Sequence, residues 1–102
     1  MKIESFAKIR ESIGTFIRLE NAPSKNGYNK APNQFIFHFT NGKLFQSYET
    51  MVAAYVGNQL YLSLEHDCST TTNRFVKQFT GLSKFERNKG IEDGTIGVFY
   101  NE

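Results

Sequence analysis

Apolar and polar positions along this chain divide into one helical stretch, two alternating ribbons and a second helical stretch. Ile3, Phe6, Ile9 and Ile13 recur at spacings of three or four, which predicts an amphipathic helix over residues 2 to 13. Gly14 suits its left-handed C-terminal cap. Phe16 and Ile17 continue the helical period, but Thr15, Ile17 and Leu19 alternate beyond the glycine, so a strand is preferred for residues 15 to 20. Asn21 to Asn33 holds two Pro, one Gly and four Asn and reads as a long loop, a length associated with mobile or functional segments.

Phe35, Phe37 and Phe39 then alternate with Ile36, His38 and Thr40, and Asn41-Gly42 leads into Lys43 to Tyr48. Asn-Gly between alternating runs signals a two-residue hairpin turn, because both central residues of a type I′ turn need positive φ. That register sets Thr40 opposite Lys43, Phe39 opposite Leu44 and His38 opposite Phe45, with the Phe35, Phe37, Phe39 and Leu44 side facing the core. Gly57-Asn58 closes a second hairpin, suited to a type II′ turn, pairing Tyr55 with Leu60, Ala53 with Leu62 and Met51 with Leu64. Ser69 is a good N-cap, and Phe75, Val76, Phe79 and Leu82 follow at helical spacing. Gly81 either ends this helix or sits inside a longer one reaching Phe85; Asn88-Lys89-Gly90 reads as a turn, and Ile96, Val98 and Tyr100 as a last strand. The expected fold is α+β: an antiparallel four- to five-stranded meander sheet, an N-terminal helix, and a helix after the fourth meander strand.

Length and composition keep this to one domain over residues 1–102, with 15% aromatic residues favouring sheet. A net charge of +2 is too mild to imply nucleic-acid binding. A single cysteine allows no internal disulfide and fits a reducing compartment. No apolar run follows the basic start, and none approaches the ~20 residues that span a bilayer, so a cytoplasmic protein is expected, with no membrane role.

Asn41-Gly42-Lys43, Ser47-Tyr48-Glu49-Thr50, Val52-Ala53 and the Ser69-Thr70-Thr71-Thr72 run before a helix resemble a small domain family of unknown function found in phages and mobile elements of bacteria. The resemblance covers residues 34 to 81 and implies a fold and a genomic setting, not an activity. Small phage-borne domains without enzymatic motifs are often inhibitors of host machinery. Anti-CRISPR proteins are similar in size and in lacking motifs, which is an analogy of type and not of residues.

The candidate chemistry is sparse. His66, Asp67 and Cys68 supply an imidazole, a carboxylate and a thiol, but neighbours on a short loop rarely converge as base, orienter and nucleophile. His38, His66 and Cys68 fall short of the four ligands of a structural zinc site. The expectation is therefore no enzyme, no metal and no cofactor. Ser69, Thr70 and Thr71 at a helix start can hold an anion, although capping is their commoner role. Residues 69 to 90 carry Arg74, Lys77, Lys84, Arg87 and Lys89 against Glu86 alone; this is a solvated helix side, or a contact for nucleic acid or an acidic protein. Ile36, His38, Phe45, Val52 and Tyr61 form the outer sheet face, open to stacking or to a partner unless the terminal segments or a second copy cover it. The leading reading is a non-enzymatic protein-binding module, a phage-encoded inhibitor of a host CRISPR effector nuclease, contacting it through the basic residues with His38, Phe45 and Tyr61. A nucleic-acid-binding accessory protein using residues 70 to 89 is the alternative.

Overall fold

A computed structural model describes residues 2–24 and 29–100. The elements, in order, are β1 (Ile3–Ser5), α1 (Phe6–Ser12), β2 (Phe16–Pro23), β3 (Lys30–Phe39), β4 (Gly42–Ser47), β5 (Thr50–Val56), β6 (Gln59–Ser63), α2 (Thr70–Thr80), α3 (Lys84–Asp93) and β7 (Gly97–Tyr100). The fold is α+β, but the seven-stranded sheet is larger than the expected meander. Its order is β1-β7-β6-β5-β4-β3-β2. Strands β2 to β6 form the antiparallel meander, and β7 enters parallel to both β6 and β1. No helix among the described residues is long and apolar enough to cross a membrane.

The helices are delimited by their end residues. Ser5 caps α1 by accepting from the Lys8 N–H at 3.2 Å, and Gly14, at φ +88°, follows its last turn. The residues before Ser5 are strand, so the predicted N-terminal helix begins later than its apolar spacing suggested. Ser69 caps α2 as expected, and Gly81 ends it in the left-handed conformation at φ 75°. A reciprocal Ser83–Glu86 capping box then starts α3, which absorbs the Asn88-Lys89-Gly90 segment expected as a turn. Strand β2 forms where alternation favoured it and runs on to Pro23; with β3 beginning at Lys30, the predicted long loop shrinks, and its residues 25–28 lie outside those described.

Both faces of the sheet are covered. On one, α2 and α3 bury Phe45, Val52, Ala53, Leu60, Leu62 and Val98 beneath Phe75, Val76 and Ile91. On the other, Ile9 of α1 and Ile13 at its C-cap pack with Phe39, Leu44, Ala54 and Phe99. The side of the first hairpin chosen as core is thus a core side, with Phe39 and Leu44 buried, but the opposite side is buried more deeply, at Phe45.

The second hairpin has its predicted register, Ala53 opposite Leu62 and Tyr55 opposite Leu60, and Gly57 takes positive φ alone in the turn, as a type II′ turn requires. A bulge opposite Phe45 and Gln46 leaves Val52 as the extra residue, which turns Met51 to the α1 side; its expected partner Leu64 lies beyond β6 and is exposed. The first hairpin turns one residue early, at Thr40-Asn41, so Phe39 faces Gly42, Phe37 faces Leu44 and His38 faces Lys43. Tertiary contacts override the local signal. Asn41 donates its backbone N–H to the Ile13 carbonyl and its side-chain amide to the Ser12 carbonyl, and its own carbonyl accepts from Gly57.

Candidate functional site

The basic residues predicted as one contact side are divided by the break between α2 and α3. Arg74 and Lys77 are exposed on α2, with the Arg74 guanidinium 4.9 Å from the centre of the Phe75 ring. Lys84 and Lys89 are exposed on α3, Lys84 lying 3.6 Å from the Asp67 carboxylate and Lys89 beside the exposed ring of Phe85.

Arg87 is not a surface residue: it is fully buried. Its Nε donates to His66 Nδ1 at 3.0 Å, Nη1 donates to the Leu82 carbonyl at 2.8 Å, and Nη2 donates to the Asn73 side-chain oxygen. It therefore ties α3 to the β6–α2 loop, to the end of α2 and to its first turn, and its place in a contact set is withdrawn. The recognisable signal was Ser83-x-x-Glu86, a helix-start signature that separates α3 from α2 and alters which residues share a side.

Two other expected contact residues are reassigned. Phe45 is fully buried and stacks on Phe79 of α2 with ring centres 5.6 Å apart, so the helices cover this face without a second copy. Tyr61 is half-buried on the α1 side, not beside Phe45. His38, half-buried, meets Glu20 at 3.0 Å, and Arg18 meets the same Glu20 oxygen at 2.6 Å. Burial works to raise the pKa of the Glu20 carboxyl, but hydrogen bonds and charge from Arg18 and His38 outweigh it and hold the pKa below the usual value.

His66 and Cys68 are not brought together as a base and a nucleophile. His66 is buried with Nδ1 occupied by Arg87, while Cys68 is exposed. Among the described residues no three His, Cys, Asp or Glu side chains gather into a metal-binding group. Ser69 spends its hydroxyl on the cap: Oγ accepts from the Thr72 N–H and donates to Thr72 Oγ1, both at 3.0 Å, leaving Thr70 and Thr71 exposed in the first turn.

Sequence reasoning missed a surface on which three large apolar residues of one strand are exposed. Strand β2 is an edge of the sheet, paired only with β3 among the described residues. It exposes Phe16 at 52%, Ile17 at 58% and Leu19 at 50%, and Leu19 pairs with Phe37, which is half-buried against the α1-side core. Bulges at Phe16/Arg18 and Asn21/Pro23, with Pro23 itself, blunt the two ends of this edge. Arg18 and, over the Phe39 ring at 4.8 Å, Arg10 add positive charge beside it. The alternation at Ile17 and Leu19 was legible, but a sequence does not say which strand lies outermost.

One family model, a Family of unknown function (DUF8033), matches residues 17–94, more than half of the chain. The match runs from β2 to the end of α3 and so includes the edge strand. No curated protein matches the chain. No solved structure matches it either.

Proposed function

We propose, from the premise that the chain belongs to the DUF8033 family, that it is a non-enzymatic protein-binding module whose β2 edge receives a strand of its partner. The observation that carries the reading is the exposure of Phe16, Ile17 and Leu19 together on an edge strand. An exposed apolar edge is an aggregation hazard unless a partner uses it, and strand addition supplies main-chain hydrogen bonds for affinity and side-chain contacts for specificity. Arg10 beside the strand, with Arg74 and Lys77 on α2, favours a partner strand flanked by acidic residues, while Arg18 is already paired with Glu20. A phage-encoded inhibitor of a host CRISPR effector nuclease, acting in the bacterial cytoplasm, is the specific form of this reading that rests on the analogy of type with anti-CRISPR proteins and not on any residue. Nucleic-acid binding by residues 70 to 89 has less support, because Arg87 is inside the protein and Lys84 faces Asp67.

The test is affinity capture from a bacterial lysate with the wild-type chain, an Ile17→Lys/Leu19→Asp variant and an Arg74→Glu/Lys77→Glu variant. The edge variant is expected to keep its fold and lose the captured protein; the charge variant is expected to weaken capture. Undiminished capture by the edge variant refutes the reading. Sedimentation of the purified chain identifies self-association: an antiparallel pairing of two β2 strands about Leu19 would set Arg18 of each copy opposite Glu20 of the other.

A further inference from the structure

A second, chemically different site lies where the end of α2 and one side of α3 overhang the sheet beside the Gly57-Asn58 turn. Lys43 on β4 is directly opposite Tyr55 on β5, and Tyr55 is directly opposite Leu60 on β6. Ile96 continues this row, because it precedes Gly97, which pairs with Tyr61. The row faces the helices. Tyr55 packs against the core beneath α2 and α3, to which Leu60 and Ile96 belong, and Lys43 is two residues before Phe45 on the same side. Between the end of α2 and the outer side of α3 the row is only partly roofed. A trough of about 550 Å³ opens there, lined by Tyr55, Leu60 and Ile96 of the row and by Leu82 and Phe85. A smaller hollow of about 360 Å³ joins it at Tyr55 and Asn58 and reaches Lys43. Leu60 and Ile96 are buried, whereas Tyr55 and Leu82 are half-buried and Phe85 is 74% exposed, so the trough offers accessible apolar surface along its length.

Charge is unevenly placed along the trough. Lys43 is half-buried, its Nζ 5.4 Å from the centre of the Tyr55 ring and 5.1 Å from that of Phe79, and no carboxylate pairs with it among the described residues. A half-buried ammonium between two rings has given up part of its hydration, and the rings compensate it less than an anion would. At the opposite end the Glu86 and Asp93 carboxylates accept from the Ser83 and Thr95 N–H groups, and Lys89 has the Asp93 charge beside it. A carboxylate is therefore drawn to the Lys43 end and repelled from the other, while the body of the trough takes an apolar chain. We infer that the trough binds an unbranched medium-chain fatty acid, its carboxylate at Lys43 and its tail lying over Tyr55 towards Phe85 and Ile96. From β4 to the start of β7 the row crosses three strand spacings, roughly 14 Å, about the extended length of a ten-carbon acid. This site is independent of the β2 edge and of Arg74 and Lys77.

The test is calorimetric titration of the full chain with decanoate, decyltrimethylammonium and acetate, each up to about 1 mM. Decanoate is expected to bind. Decyltrimethylammonium, with the same tail and the opposite charge, is expected to bind at least about tenfold more weakly, and acetate, which has no tail to bury, not to bind. Lys43→Met is expected to weaken decanoate binding about tenfold, since it removes the cation and keeps the apolar stem. Phe85→Asp, an exposed change that sets a negative charge beside the tail, is expected to weaken it by a similar factor. If Lys43→Met does not fold, the Tyr55 ring resonances of the wild-type chain are followed by NMR, and they shift on addition of decanoate and not of acetate. The inference is overturned by no binding of decanoate, by equal affinity for decyltrimethylammonium, by undiminished binding in Lys43→Met or Phe85→Asp, or by Tyr55 resonances that do not move.

Discussion

Arg87 Nε lies 3.0 Å from His66 Nδ1 in the interior of the protein, a cation donating to a neutral ring nitrogen. Because Nδ1 accepts, the imidazole carries its proton on Nε2, and protonating Nδ1 would set two positive groups against each other. Burial lowers the pKa of the Arg87 guanidinium while Asp67 opposes that shift, and the group stays charged because arginine does not deprotonate in proteins. Three acceptors, from the β6–α2 loop, the residues following α2 and its first turn, converge on this one side chain. It therefore fixes how the two helices sit together over the sheet.

Arg87→Met is expected to destabilise the fold by about 3 kcal/mol, since it leaves the buried His66 Nδ1 and the partly buried acceptors of Leu82 and Asn73 without their donor. Arg87→Lys keeps a charge but not the planar fork, and should recover less than half of that loss. Urea unfolding of the purified variants measures both. A loss within about 0.5 kcal/mol for Arg87→Met, the range of ordinary surface substitutions, would place Arg87 among surface residues after all.

The same contact makes stability depend on pH. Burial lowers the pKa of His66; the charge of Asp67 raises it, Arg87 lowers it, a hydrogen bond with Asn88 raises it and Lys84 lowers it, with the balance below the ordinary value of 6.5. The unfolded chain therefore takes up a proton at a pH where the folded chain still refuses it. The stabilisation associated with neutral His66 is fully present above about pH 6.5 and is lost as pH falls below it. His66→Gln retains an acceptor for Arg87 and cannot titrate, so its Tm should fall less than that of the wild type between about pH 7 and pH 5. Parallel Tm profiles for the two proteins would exclude His66 as the source.

Much of the architecture was legible because local signals and tertiary demands agreed. The Gly57-Asn58 turn, the Ser69 cap and the Gly81 stop each satisfy a backbone need that no neighbour contests. Legibility failed where distant groups decided the outcome. Phe45 and His38 have the same alternating pattern, but only Phe45 lies beneath Phe79. Lys84 and Arg87 are both cations in the first turn of α3, but only Arg87 points at three acceptors. Strand β1 was hidden for another reason, its three-residue span being too short for a periodic signal, whereas β7 was read from the alternation of Ile96, Val98 and Tyr100 and only its parallel pairing with β1 and β6 was not. Of the surface, the exposed cations Arg74, Lys77, Lys84 and Lys89 were legible, whereas the β2 edge and the placing of Lys43 beside Tyr55 depend on strand order and register.

The first hairpin gives the sharpest test of local against tertiary control. Asn-Gly would serve a turn centred on residues 41 and 42, where glycine is needed for its positive φ. The observed turn is centred on Thr40 and Asn41, and Gly42 is instead the first residue of β4. A Cβ on Gly42 would collide with the Tyr55 carbonyl oxygen and press on the Ile13 side chain at 3.1 Å. Glycine is thus required by the close approach of β5, and the Asn41 side chain by the Ser12 carbonyl it caps. Gly42→Ala should cost about 3 kcal/mol or more, because relieving the collision means shifting a strand backbone inside the sheet. Asn41→Ala, which loses one exposed hydrogen bond and keeps the backbone contacts to Ile13 and Gly57, should cost about 1 kcal/mol. A turn of the type predicted by the local signal would demand a positive φ at Asn41 as well, making Asn41→Ala a costly backbone change too. Urea unfolding of the two variants side by side separates the cases: a large loss at 42 with a small one at 41 supports the observed register, and comparable large losses would return the turn to Asn41-Gly42.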